Sequence, residues 1–368
     1  MLPVKSSRMR DMASEIAVSI IGAGHCGCAI AADVLCRGGK ALLYAHPDHS
    51  AALHAILRQG YLGVSGKMCG RFMPVLCNDL SEALRFSDYL VLALPSFAHD
   101  EMIAALAAHD LARHVVVCIA GNFFCLAARR SLRARAILET SSAPYASRVV
   151  GAEVKVMGIK SQLHIASLAP ISDQGTLQAL ACLFPMPLRW YRNVLEAGLS
   201  CINAVLHPVP ALLNTGWIES TAGDFHFYRQ GMSASVVRVM QAIDQERMRI
   251  ASRYGLSVRS AVDMMNAYYG GRFASLCDFA RESAEHNQEK MAPSSMRHRF
   301  IEQDVPLVLV PWHELGLKAG IDALTMRAII QIASIVRRQP PPAEGVALRR
   351  LGLAGLDRRG ILAAVAAV

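Results

Sequence analysis

Three glycines, Gly22, Gly24 and Gly27, stand as Gly-x-Gly-x-x-Gly directly behind the apolar run 16–21, and no other feature restricts the fold so sharply. Residues 16–21 read as a strand, 26–37 as a helix and 41–45 as a second strand. In that order the first glycine permits a tight turn, the second lets backbone N–H groups approach a pyrophosphate, and the third lets helix pack closely on strand. The positive helix N-terminus then faces the phosphates. Gly22, Gly24, His25, Cys26 and Gly27 are therefore expected to line a dinucleotide, with Ala45 and His46 at the end of the second strand. An NAD-selective site places an acid there to hold the ribose 2′-hydroxyl. Here the strand ends Leu43-Tyr44-Ala45-His46, with no carboxylate before Asp48. NADPH should be accepted, and NADH is not excluded. His46 reads either as a neighbour of the 2′-phosphate or as a solvated loop histidine.

Further apolar runs at 89–94, 115–119 and 136–139 alternate with helical patterns at 49–58, 81–86, 100–109 and 123–133, which predicts a parallel sheet covered on both faces. Residues 154–160 and 164–169 read as an antiparallel pair closing the domain. Beyond about residue 185 the texture turns helical: 233–254 carries apolar residues at a period near 3.6 and ends at Gly255. Helical patterns also occupy 194–206, 258–269, 272–284, 306–319 and 323–337. The stretch 338–345, with three consecutive prolines, reads as a stiff loop before a last helical segment. The expected architecture is an α/β Rossmann-type doubly wound parallel sheet, residues 1–187, followed by an all-α domain, residues 188–368, with substrate in the cleft between them.

Composition narrows the function classes. In 368 residues, 53% are hydrophobic and 18% charged, which excludes global disorder. The net charge of +9 favours an anionic ligand. It is scattered, without the interleaved basic and aromatic face of a nucleic-acid groove, so no nucleic acid is expected. The ten cysteines sit mostly in apolar runs with no Cys-x-x-Cys pair, pointing to a reduced, cytoplasmic setting. The apolar stretch 16–36 is interrupted by its glycines and by Asp33, so no membrane span is expected. Residues 1–11 lack the features of a signal peptide and read as a tail, with Met9 or Met12 as an alternative start. No cluster has metal-ligand spacing, so no metal is expected.

In the second half, the stretch Asn203-Ala-Val-Leu-His207-Pro208-Val-Pro210 puts His207 at a helix junction, because each proline removes an N–H and fixes φ. Asp244, Glu246, Arg247 and Arg249 have spacings that allow i,i+3 pairs and read as a solvated salt-bridged face. His298 reads as a helix-boundary residue, and Trp190, Tyr191 and Trp217 as packing or cleft lining.

Along nearly its whole length the sequence resembles the opine dehydrogenases, the family that includes octopine and nopaline synthases. The resemblance is carried by Gly22-Ala-Gly-His-Cys-Gly27, Glu139-Thr-Ser-Ser-Ala-Pro-Tyr145, Leu183-Phe-Pro-Met-Pro-Leu-Arg-Trp-Tyr191, Asn203-Ala-Val-Leu-His-Pro208 and Phe227-Tyr-Arg-Gln-Gly231. It continues through Ala242-Ile-Asp-Gln-Glu-Arg247, Tyr268-Tyr-Gly-Gly271, Met296-Arg-His-Arg-Phe-Ile-Glu-Gln-Asp-Val-Pro306 and Leu351-Gly-Leu-Ala-Gly-Leu356. It implies an NAD(P)-dependent oxidoreductase that condenses an amino acid with a 2-oxo acid such as pyruvate or 2-oxoglutarate and reduces the imine with NADPH or NADH. By the same resemblance His207 is the catalytic histidine and Asp304 its partner carboxylate. Arg299 and Asn203 are expected at the substrate, although Arg299 could equally face the cofactor pyrophosphate. The expected partners are these small molecules, and a homodimer is compatible with the reading. Two rivals stay open: a 2-hydroxy acid or hydroxyacyl dehydrogenase reducing a carbonyl directly, and a non-catalytic NADP(H) sensor.

Overall fold

Strands that are apolar on both sides need cover on both, and the first half of the chain satisfies this with two sheets and the helices between and around them. The computed structural model describes residues 16–290 and 292–366; the segment read above as a tail, with Met9 and Met12, and the end of the last helical segment lie outside the described residues. The strands are β1 (Ala17–Ile21), β2 (Lys40–Tyr44), β3 (Leu62–Gly66), β4 (Gly70–Phe72), β5 (Val75–Cys77), β6 (Tyr89–Leu92), β7 (Leu111–Cys118), β8 (Ala134–Thr140), β9 (Tyr145–Val150), β10 (Glu153–Ile159), β11 (Leu163–Ser167) and β12 (Leu188–Trp190). Eight form a main sheet in the order β12-β11-β8-β7-β6-β1-β2-β5, parallel throughout except where β11 runs against β8. The other four form a second sheet, β4-β3-β10-β9.

The helix His25–Cys36 is buried on every side from Gly27 to Val34. Its apolar sequence requires this: Ala29, Ile30 and Ala32 share one core with Val18 and Ile20 of the main sheet and with Tyr145, Val154 and Val156 of the second. The one acid on the buried stretch, Asp33, is held by Arg37 through Nε and Nη2 at 2.9 and 2.7 Å. The same guanidinium donates to the carbonyls of Cys182 and Leu183. A buried charge is tolerable only with such partners.

The expected antiparallel pair of 154–160 with 164–169 is corrected. β10 pairs with β9 and β3, whereas β11 pairs with β8 and β12, so the two lie in different sheets. The register shift between Val156 and Gly158 marks an irregularity, and β9 occupies the edge of β10 that a hairpin would need. The N–H of Lys160 bonds the carbonyl of Pro144, just before β9 of the second sheet, while that of Leu163 bonds the carbonyl of Pro187, just before β12 of the main one. The chain thus changes sheet across residues 161–162.

The chain divides into two compact units, the second comprising residues from Arg192 onward together with Pro95–Phe97. Residues 188–191 stay with the first because β12 is hydrogen-bonded to β11. The second unit is helical and organised on Ala234–Arg253, which Ser233 caps through the N–H of Val236 and which ends where Gly255 takes φ +69°. The stretch Val194–Leu213 is long and apolar enough to cross a membrane, yet 89% of it is buried within the protein; it is the core of this unit.

The solvated charge face expected on Ala234–Arg253 is also corrected, for Asp244, Glu246 and Arg247 are buried and only Arg249 is exposed. Arg247 is 0% exposed and donates to Asp244 Oδ1 (3.0 and 2.6 Å), to the Leu199 carbonyl and to the Arg259 carbonyl. Asp244 Oδ2 accepts the N–H of Ala261 at 2.7 Å. Glu246 accepts the N–H groups of Thr325 and Met326, capping the helix Leu324–Val336. Sequence spacing found the i,i+3 pair but could not see that two other segments, at Leu199 and at Arg259–Ala261, converge on it. Removing the cation alone, with Arg247→Met, is expected to cost about 3–5 kcal/mol by stranding Asp244, whereas Arg249→Ala should stay within about 0.5 kcal/mol of wild type. Urea unfolding followed by circular dichroism distinguishes the two, and equal midpoints would contradict the assignment.

Candidate active site

The three glycines do three different jobs. Gly22 sits at φ +119°, and a Cβ there would stand 2.6 Å from the Ala93 carbonyl oxygen. A Cβ at Gly27 would lie 1.8 Å from the oxygen of Gly22, so helix and turn touch through hydrogen alone. Around Gly24, by contrast, nothing lies within 4 Å. Gly24 precedes the helix His25–Cys36, whose N-cap makes no side-chain hydrogen bond, and the first N–H groups of a helix have no acceptor within it. Open space at Gly24 beside the closed contacts at Gly22 and Gly27 fits a dinucleotide pyrophosphate.

Of the neighbouring expected residues, His25 faces outward but its Nδ1 accepts the N–H of Val149 at 2.9 Å while its carbonyl accepts Ser147 Oγ. It fastens the helix start to β9. Cys26 is half-buried. Ala45 is buried, and its N–H donates to the Cys77 carbonyl. His46 beyond it is exposed enough to meet a ligand, and its Nδ1 accepts the N–H of Asp48 at 3.3 Å, with the Asp48 carboxylate 3.6 Å away.

At the carboxyl end of β7, Ala120, Asn122 and Phe123 all take positive φ, between 49° and 68°. Such clusters of costly backbone persist only where the surroundings over-determine them, commonly at functional sites. Thr140 supplies that constraint, its Oγ1 accepting the N–H of Ala120 and its carbonyl that of Gly121. Glu139 Oε2 accepts the N–H of Cys125, and Ser141 Oγ accepts the hydroxyl of Tyr191, whose ring stacks on His164. Sequence reasoning missed this loop, although the matched run Glu139–Tyr145 marks the segment that braces it.

In the helical unit, His207 joins two short helices, Asn203–Leu206 and Pro208–Leu213. Its N–H bonds the Asn203 carbonyl and its carbonyl receives Ala211, so the chain continues helically although Pro208 contributes no N–H. Asp304 follows the helix Arg299–Glu302 and precedes a π-helical turn, Val305–Leu309. Pro306 and Pro311, which cannot donate, fit there because the N–H of Val310 reaches back five residues to Val305.

These elements bring together residues 97 positions apart: His207 Nδ1 and Asp304 Oδ2 are separated by 2.7 Å. The carboxylate is 1% exposed and the histidine 7%. A carboxylate can only accept, so Nδ1 carries the hydrogen and Nε2 is left to exchange a proton. Phe300 stacks on the imidazole at 4.1 Å and 19°. Gln303 Nε2 lies 3.4 Å from Asp304 Oδ1, while Gln303 Oε1 accepts the N–H of Ser96. Arg299 is exposed with its guanidinium 5.7 Å from the Phe300 ring, and Asn203 is half-buried one turn before His207. His298 caps its helix through the N–H of Phe300. Sequence reasoning missed Phe300, which the four-residue spacing to Asp304 could have flagged, and Tyr228, which no local spacing signals. Among the described residues no group of three or more His, Cys, Asp or Glu could hold a metal.

A glycine-looped dinucleotide domain joined to a helical unit with a buried His–Asp pair defines the class, a two-domain NAD(P)-dependent oxidoreductase. Residues 190–337 match the family described as NAD/NADP octopine/nopaline dehydrogenase, alpha-helical domain, and the resemblance to the opine dehydrogenases read from the sequence is borne out. The chain is 29% identical to Protein ocs of Agrobacterium vitis, over 95% of this chain and 98% of that one. It is 27% identical to an opine dehydrogenase of Arthrobacter sp. (strain 1C), over 94% and 98%. Its fold is shared by octopine dehydrogenase in a structure with NADH and L-arginine, with a TM-score of 0.70 and 19% identity over 94% and 98% of the two chains.

The glycine geometry makes a differential prediction. Gly24→Ala should fold like wild type yet bind NADPH about tenfold more weakly, some 1.4 kcal/mol, whereas Gly27→Ala should lower the melting temperature before any question of binding arises. Thermal melts alongside NADPH fluorescence titration check both; a Gly24→Ala protein with undiminished affinity would contradict the ligand's approach over that residue.

Proposed function

We propose that this enzyme joins the amino group of an amino acid to the carbonyl carbon of a 2-oxo acid and reduces the resulting imine. The observation that carries the reading is the buried His207–Asp304 pair, whose 2.7 Å contact commits Nδ1 of the imidazole to the carboxylate. Asp304 fixes the tautomer and stabilises the imidazolium, as a carboxylate does for any histidine that must both take and give a proton. His207 takes a proton from the substrate ammonium, freeing the amine that attacks the carbonyl carbon, and returns one to the carbinolamine oxygen as water leaves. Arg299 carries no ion-pair partner among the described residues, and its planar fork suits the 2-oxo acid carboxylate. Asn203, on the same helical turn as His207, offers an amide to the substrate. A nicotinamide cofactor seated at the glycine turn supplies the hydride.

The test is NADPH oxidation followed by absorbance, with a panel of amino acids crossed against pyruvate and 2-oxoglutarate. Turnover should require both, and oxidation that proceeds as fast without amine would transfer the protein to the carbonyl-reducing class. His207→Ala should lose about 10² to 10⁴ of turnover with NADPH binding retained; an unaffected variant would favour a binding module. Because Ala45 stands where an acid would repel a 2′-phosphate, Ala45→Asp should lower kcat/KM for NADPH at least tenfold relative to that for NADH. An unchanged ratio would show that Ala45 does not set the preference.

A further inference from the structure

The nitrogen of His207 that Asp304 leaves available already has a neighbour. Tyr228 Oη lies 3.5 Å from His207 Nε2, and the tyrosine is 3% exposed. Its ring is held edge-on by Phe227 at 5.4 Å, by Phe279 at 5.9 Å and by His286 at 4.9 Å. His286 is half-buried, and its Nδ1 lies 2.8 Å from Ser283 Oγ. Asp304, His207, Tyr228 and His286 follow one another in contact, the first three buried and His286 half-buried, with Tyr228 and His286 meeting ring to ring.

We propose that the Tyr228 hydroxyl relays protons between His207 Nε2 and the His286 side of the unit, resting on the function read above. The need for a relay follows from the atom count. An ammonium and a ketone give a protonated imine and water with no net proton. Hydride addition gives a neutral secondary amine, and that amine takes up one proton, so one proton enters the site from solvent in every turnover. His207 delivers it through Nε2 and must be recharged. Its Nδ1 side faces a buried carboxylate and one ring face is covered by Phe300, which leaves the edge on which Tyr228 sits. A phenol can accept a proton on one lone pair as it releases its own, so one O–H bond forms as the other breaks and no charge accumulates on the ring oxygen. The 3.5 Å separation is loose for a hydrogen bond, and such contacts tighten in the reacting complex. The titrating groups around the relay are Asp304, His298 beyond Phe300, His286, Tyr269 and Glu285. Burial pushes the Tyr269 phenol up, so it stays neutral.

The experiment uses the full chain, comparing wild type, Tyr228→Phe and His286→Ala across pH 6–9, with and without free imidazole. Tyr228→Phe keeps the ring and should lose about 10²-fold in kcat, with KM for each substrate and NADPH affinity within about twofold. His286→Ala should lose kcat in the same sense and regain it with imidazole, which leaves wild type unaltered. A Tyr228→Phe enzyme with wild-type kcat and pH profile, a loss confined to KM or cofactor affinity, or a His286→Ala enzyme that imidazole does not restore would each overturn the relay. Failure of the wild type to show amine-dependent turnover would instead overturn the functional reading beneath it.

Discussion

A carboxylate withdrawn from water must be matched by donors, and in the helical unit Asp304 meets that demand. The 2.7 Å contact with His207 does this with a group that can itself lose and regain a proton. In the proposed reaction the stabilising partner and the proton-transferring group are therefore one side chain. Phe300 on the ring face restricts the imidazole to the plane in which both nitrogens are useful. The neighbouring ion pair of Asp244 and Arg247 solves the same physical problem without any chemistry, because an arginine stays charged at every relevant pH. The contrast shows why burial of charge alone does not mark a site.

The dinucleotide domain rests on a different constraint, the contact of helix and strand through Gly22 and Gly27. Two sheets then enclose the helix His25–Cys36, which explains why its sequence is apolar all round although it is only 12 residues long. The two sheets bury this helix from Gly27 to Val34 while its first residue, His25, faces outward, and that end is where Gly24 leaves space.

Much of this was legible in the sequence because it was local. The glycine spacing, the apolar strands and the 3.6-residue period of Ala234–Arg253 are each set within about twenty residues. The pairing of His207 with Asp304 came instead from resemblance, since no periodicity joins positions 97 apart. What escaped was non-local or short: β3, β4, β5 and β12 are stabilised by partners rather than by their own pattern, and β10 was assigned to the wrong neighbour because Tyr145–Val150 was not read as a strand. The charges at Asp244 and Arg247 looked solvated because their shielding segments, around Leu199, Arg259 and Ala261, lie elsewhere in the chain.

The π-helical turn at Val305–Leu309 accommodates one residue more than an α-helical path would. Successive residues of an α-helix are rotated by about 100°, so excising a single residue from this turn would restore regular winding only by swinging the segment before it around the axis. Asp304 would leave the imidazole and one of its flanking residues would take its bearing. The alignment of acid and base is thus encoded in chain length as much as in side-chain identity, and this stretch should accept substitutions more readily than changes in length.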